Sequence, residues 1–213
     1  MARTLTRLTP DHLAQLDDHV RTCLFWLLDP VALSRVEDDR RAQEVQDRVA
    51  DVLREWGDCG QVLLVDGTPV GLALYGPARF FHGAAGIPTS PVSSDAVLLA
   101  AVHVAEGHRE GGLGRMLVQG AAADLVRREV RALEAFGDTR ADGQRGCVLP
   151  TSFLEAVGFR PQREHPVSPR MRMDLRTTSV WDGVEVALQR LLGLARPAPK
   201  QATRLGREPG RVG

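Results

Sequence analysis

The stretch from Ala96 to Val126 constrains the chain more than any other. Ala96 to Val102, followed by Val104, is an apolar run of strand length. The turn Ala105-Glu106-Gly107-His108 and the segment Arg109-Glu110-Gly111-Gly112-Leu113-Gly114 come next, and Leu113, Met116, Leu117, Ala121 and Leu125 then recur at helical spacing. The reading is strand, glycine-rich loop, helix. A helix that opens on glycines offers unpaired N–H groups and the positive end of its macrodipole to an anion that can approach bare backbone. Phosphate is the anion that this lead-in fits. Two common phosphate loops do not: no Gly-Lys-Ser/Thr follows, and no G-x-G-x-x-G can be laid over Gly107 to Gly120.

The order Arg109-x-x-Gly112-x-Gly114 directly after a strand resembles the pyrophosphate motif of the GNAT superfamily, the acyl-CoA-dependent N-acyltransferases. A second stretch resembles the same superfamily. Cys147-x-x-Pro150-x-x-Phe153-Leu154-Glu155-Ala156-Val157-Gly158-Phe159 keeps the spacing and the Gly-Phe ending of its N-x-x-A-x-x-L-Y-E-x-x-G-F segment. The resemblance spans about Thr4 to Leu175. It implies an α/β (α+β) GNAT fold over residues 1–176, with a mixed, mostly antiparallel central sheet flanked by helices on both faces.

Composition agrees with one globular domain and an extension: 213 residues, 43% hydrophobic, and Lys+Arg 27 against Asp+Glu 27. Zero net charge points to no polyanionic partner, so nucleic acid is not expected. No apolar run approaches the roughly 20 residues that span a bilayer, so a cytoplasmic protein is expected. Cys23, Cys59 and Cys147 are odd in number and contain no close-spaced pair. Neither a disulfide framework nor a zinc site is expected from them.

Thr4 to Leu8 reads as a first strand, with Thr9-Pro10 as cap and first residue of a helix. Cys23 to Asp29 sets two aromatics, a thiol and a carboxylate before Pro30. By the resemblance this is acceptor wall, with Trp26 and Asp29 as contacts; as plain sequence it is helix core with Asp29 capping the next helix. Val45, Val49, Val52, Leu53 and Trp56 mark an amphipathic helix. Asp66-Gly67 between alternating apolar residues is a hairpin signal. The irregular segment from Gly76 to Asp95 carries Phe80 and Phe81, with Phe81 a further candidate for the acceptor cleft. Strands are expected over Val130 to Phe136 and around Met171 to Leu175. Residues 177–194 read as an amphipathic helix docked on the body or on a second subunit, which allows a homodimer. Residues 195–213 read as a basic, disordered tail.

The resemblance further implies acetyl-CoA as cosubstrate. Its pyrophosphate would rest on Glu110, Gly111, Gly112, Leu113, Gly114 and Arg115, with Arg109 adding charge. The backbone of Val102 and Val104 would pair with the pantetheine arm. An amine acceptor would attack the thioester, and backbone N–H would stabilise the oxyanion. The usual proton-transfer groups are missing, because Leu154 replaces a tyrosine acid and Leu98 and Ala100 stand where a glutamate or histidine base is common. Cys147, at the place of a pantetheine-binding asparagine, is either a thiol acid for the leaving group or a small buried apolar residue. His103 alternates away from the cofactor side and reads as structural. These gaps leave a second reading open, a non-catalytic acyl-CoA-binding sensor of the same fold.

Overall fold

The computed structural model describes residues 2–109, 111–140 and 146–175. Glu110, the helix expected over 177–194 and the tail over 195–213 lie outside the described residues. The elements are β1 (Arg3–Arg7), α1 (Pro10–Gln15), α2 (Asp18–Thr22), α3 (Pro30–Leu33), α4 (Arg41–Glu55), β2 (Gly60–Val65), β3 (Thr68–Gly76), β4 (Ala96–Val104), α5 (Leu113–Arg127), β5 (Ala132–Asp138), β6 (Leu149–Pro150), α6 (Thr151–Ala156), β7 (Arg160–Arg163) and β8 (Arg170–Asp174).

The strands form one mixed sheet in the order β1-β2-β3-β4-β5-β8-β7, with β6 paired to β5. All pairs are antiparallel except β4 with β5 and β5 with β6. The β2–β3 hairpin turns on Asp66 (φ 49°) and Gly67 (φ 86°), the left-handed pair that a tight hairpin needs. Helices cover both faces. The apolar stripe of α5, with Met116, Leu117 and Leu125 fully buried, packs on Leu63, Tyr75 and Leu99 on one face. On the other, Val45, Val49 and Val52 of α4 pack with Leu24, Leu72 and Leu98. The expected α/β architecture is therefore the observed one.

Two buried polar groups fix this frame. Gln61 donates to the Tyr75 hydroxyl (3.2 Å), which donates to Asp124 of α5 (2.9 Å), tying the helix to β2 and β3. Burial pushes the Tyr75 hydroxyl far above its ordinary pKa, so the chain's single tyrosine is locked in the core as a proton-bearing donor. Tyr75→Phe leaves a buried carboxylate short of a donor and is expected to cost about 1–3 kcal/mol, read as a lower denaturant midpoint with an unchanged slope. Glu134 of β5, fully buried, faces Arg170 (3.3 Å) and Arg172 (3.1 Å) of β8.

The segment from Pro77 to Asp95, expected to reach the acceptor cleft, is instead a strap over the α2–α3 connection. Gly83 N–H donates to Trp26 O (3.1 Å), and a Cβ on Gly83 would sit 1.9 Å from Phe25 O, so only glycine fits. Phe81 follows its hydrophobicity into the core and is 1% exposed.

Candidate active site

β4 carries the geometry from which the site is built. Its register against β3 shifts between Leu74 and Tyr75, which pair with Ala101 and Leu99, leaving Ala100 as an extra residue. Because of this bulge, Ala100 and Ala101 both pack toward the α4 face, while Val102 and Val104 pack toward α5. Beyond it, β4 also loses its parallel neighbour. β5 pairs only with Ala96, Val97 and Leu98, and its far end, Gly137 and Asp138, pairs with β6 instead. The two strands splay. Ala105 N–H bonds to Val70 O on the β3 side, so by alternation Val102 and Val104 turn their peptide groups to the open side.

The splay ends at the glycine turn. Gly111 (φ 84°) and Gly112 (φ 76°) are left-handed, and Gly112 is the N-cap of α5 with no side chain to satisfy the first amides. Its carbonyl accepts from Met116 N–H at 3.1 Å, which starts the helix. A Cβ on Gly114 would meet Phe153 of α6 at 3.2 Å, so this glycine also lets α6 lie close. Arg109 Nε donates to Val104 O (3.3 Å), and Arg3 donates to Gly111 O (3.4 Å), so two guanidinium groups flank the turn. Sequence reasoning missed Arg3, 108 residues upstream of the turn, because only the sheet brings β1 there. Arg115 points its side chain elsewhere, to Ala156 O at 2.6 Å, leaving its backbone to the helix N-terminus.

On the opposite face of β4 lies a largely apolar cavity whose polar lining is His19, Cys23, His103 and Cys147, with Trp26 beside them. Of the residues expected at the acceptor, Trp26 is there; its indole N–H donates to Cys147 O at 2.7 Å. Asp29 is not. Its carboxylate caps α3, accepting from Val31 N–H (2.8 Å) and Ala32 N–H (3.0 Å), and those bonds hold it below the usual carboxylate range. Phe81 does not line the cavity either.

His103, read from the sequence as a structural residue facing away from the cofactor side, lies on the face expected. Alternation does turn it away from Val102 and Val104, and that side is the cavity. Its Nε2 lies 2.5 Å from Asp17 Oδ2, while Asp17 Oδ1 accepts from Val20 N–H (3.2 Å) as the N-cap of α2. Burial alone raises the Asp17 carboxyl, but the bonds from His103 and Val20 outweigh it and hold the group below its ordinary value. A carboxyl depressed on folding adds stability above its unfolded pKa and loses it as pH falls through the folded one, so this contact persists into mild acid. An ionised Asp17 only accepts, so Nε2 carries the hydrogen and Nδ1 of the neutral ring is the basic nitrogen.

The thiols also depart from expectation. Cys23, the C-cap of α2, and Cys147 are 124 residues apart in sequence, yet their Sγ atoms are 2.9 Å apart. The shared hydrogen bond lowers the pKa of Cys23 and raises that of Cys147. His19, four residues before Cys23 on α2, completes a group whose ligand atoms all lie within 4.8 Å of one another. The expectation of scattered thiols fails because the fold, not the spacing, brings Cys147 to α2. Cys59 stays apart, buried, with its pKa pushed up to about 12.

A model of the acetyltransferase (GNAT) family matches residues 21–148, well over half of the chain. The chain belongs to the GNAT acetyltransferase family. Among solved structures, an N-acetyltransferase from Staphylococcus aureus Mu50 is similar at 10% identity and TM-score 0.54, covering 83% of this chain and 100% of that one. PaiA N-acetyltransferase from Thermoplasma acidophilum, in complex with coenzyme A, is similar at 9% identity and TM-score 0.51, covering 82% and 99%. Ard1 from Thermoplasma volcanium is similar at 15% identity and TM-score 0.50, covering 82% and 98%. No curated protein matches the chain. At such identities these likenesses speak for the GNAT fold alone. Among the described residues, no helix is long and apolar enough to cross a membrane.

Proposed function

We propose that this GNAT protein is an acetyl-CoA-dependent N-acetyltransferase that acetylates a primary amine held in the apolar cavity. The observation that carries the reading is the open edge of β4 running into the glycine turn of α5, with the cavity directly across the strand. A pantetheine arm can add to Val102 and Val104 as an extra strand does. The pyrophosphate then meets the free amides of Leu113, Gly114 and Arg115 with Arg109 and Arg3 beside it. The complex of PaiA with coenzyme A supports the same assignment by fold.

The acceptor enters from the α2 side, past Trp26, and the apolar walls favour a partly apolar amine. His103, oriented by Asp17, takes through Nδ1 the proton that the neutral amine sheds as its nitrogen bonds to the carbonyl carbon. The amine attacks the thioester carbonyl, backbone N–H on the open side of β4 stabilises the oxyanion, and coenzyme A leaves as the thiol or thiolate. Leu154 has no proton to give and Tyr75 is committed to Asp124, so neither serves as the acid. The sensor reading rests on the missing acid at Leu154 and the missing base at Leu98; His103 in the cavity offers a base in place of the second, while the place of the first stays unfilled.

Calorimetry with coenzyme A, alongside free-thiol release over an amine panel, tests the two halves of the reading separately. Arg109→Ala is expected to weaken coenzyme A binding by about 1.5–3 kcal/mol, the range for a lost charge-assisted hydrogen bond. Equal affinity in wild type and variant would remove Arg109 from the site. Tight binding with no thiol release from any amine would favour the sensor.

A further inference from the structure

Beyond acetyl transfer, we infer that His19, Cys23 and Cys147 form a binding site for a soft divalent cation of the zinc class. Nitrogen and thiolate donors in this number are what zinc takes in three-ligand sites that keep a fourth position open. The three ligand atoms converge within 4.8 Å, from two segments far apart in sequence. His19 and Cys23 stand four residues apart on α2 and so project from one side of it. Cys147 is fixed by the bond from Trp26 to its carbonyl (2.7 Å).

The geometry of the thiols is what singles out this cluster. At 2.9 Å the two sulfurs are closer than two thiolates can stay unless a proton, a cation or a bond joins them. On a tetrahedral zinc at about 2.3 Å from each sulfur, the pair stands about 3.8 Å apart, an opening of about one ångström. A small χ1 rotation at each cysteine supplies it, and His19 is exposed and free to swing inward. All three line the cavity, so the open coordination position faces it and is filled by water or by a donor atom entering there. The His103 ring, 5.5 Å from that of His19, is held back from the metal by Asp17.

The test uses the full chain, kept reduced, stripped with a chelator and reloaded with Co²⁺ or Zn²⁺. Cobalt is expected to give the intense near-ultraviolet thiolate charge-transfer band and the visible bands of a tetrahedral site. Zinc is expected to stay bound at one equivalent per chain through gel filtration and to protect Cys23 and Cys147 together from alkylation. Cys59 serves as the buried internal control. Cys23→Ser, Cys147→Ser and His19→Ala should each lose the retained equivalent while keeping the circular dichroism of the wild type. Should a variant fail to fold, the alkylation experiment on the wild type decides alone. Zinc that washes off with both cysteines alkylated at an unchanged rate would overturn the site. So would zinc-treated protein in which Cys23 and Cys147 still close to a disulfide with oxidised glutathione. Neither readout involves acetyl transfer, so the site stands or falls apart from the enzyme reading.

Discussion

His103→Ala is expected to lower kcat for acetyl transfer by about 10²- to 10⁴-fold, the range for a positioned general base, with coenzyme A affinity unchanged. The separation follows from the sheet. His103 faces the cavity on the α4 side of β4, whereas the arm and pyrophosphate of the cosubstrate would lie along the open edge and the glycine turn. Asp17→Asn should reproduce part of the loss, because an amide donates or accepts and no longer dictates which imidazole nitrogen carries the hydrogen. Its measurable mark is a shift in the pH profile of kcat/KM along with a smaller fall in rate. An alanine variant that retains full kcat over the amine panel would exclude His103 as the base and return the chemistry to water or to the cavity thiols.

The second large effect is on stability. Glu134→Ala should lower unfolding free energy by about 3–5 kcal/mol, measured by denaturant titration, because it strips the shared partner from buried ion pairs. Glu134 is fully buried, and it binds Arg170, Arg172 and the Ser93 N–H (3.0 Å) at once. Arg172 retains Asp95 (2.9 Å) and Asp174 (2.8 Å), which keep its guanidinium charged; among the described residues Arg170 pairs with no second acid. The charge of Arg170 would therefore sit against the β5–β8 seam without the carboxylate that faces it. A loss below about 1 kcal/mol would mean that the seam relaxes and admits water.

Local pattern made much of this protein legible beforehand. The alternation in β2 and β3, the Asp66-Gly67 turn, the valine stripe of α4 and the glycine entry to α5 are short-range signals, and each element sits where its pattern puts it. Helix caps were equally local: Thr9 accepts from His12 N–H, and Asp29 serves α3, as the plainer of its two readings has it. What stayed hidden depends on distant pairing. Arg3 meets the glycine turn only through β1 at the sheet edge, Asp17 meets His103 across 86 residues, and Cys147 meets Cys23 across 124. The i, i+4 relation of His19 to Cys23 went unread in the sequence, and its third member, Cys147, comes from a distant segment. Phe81 misled because an aromatic in a loop suits a cleft and a core equally until the strap beneath it is known.

The extra residue in β4 divides that strand into two stretches of opposite parity. Upstream, Val97, Leu98 and Leu99 are held on both sides by the interior. Downstream, side chains alternate between helix α5 and the cavity, and among the described residues no strand pairs with the outer edge, where Arg109 reaches the Val104 carbonyl. Were the same residues to pair regularly with β3, without the bulge, the second stretch would rotate by half a turn, carrying His103 under α5 and away from the cavity. The bulge thus decides which side chains of the strand's second half look into the cavity.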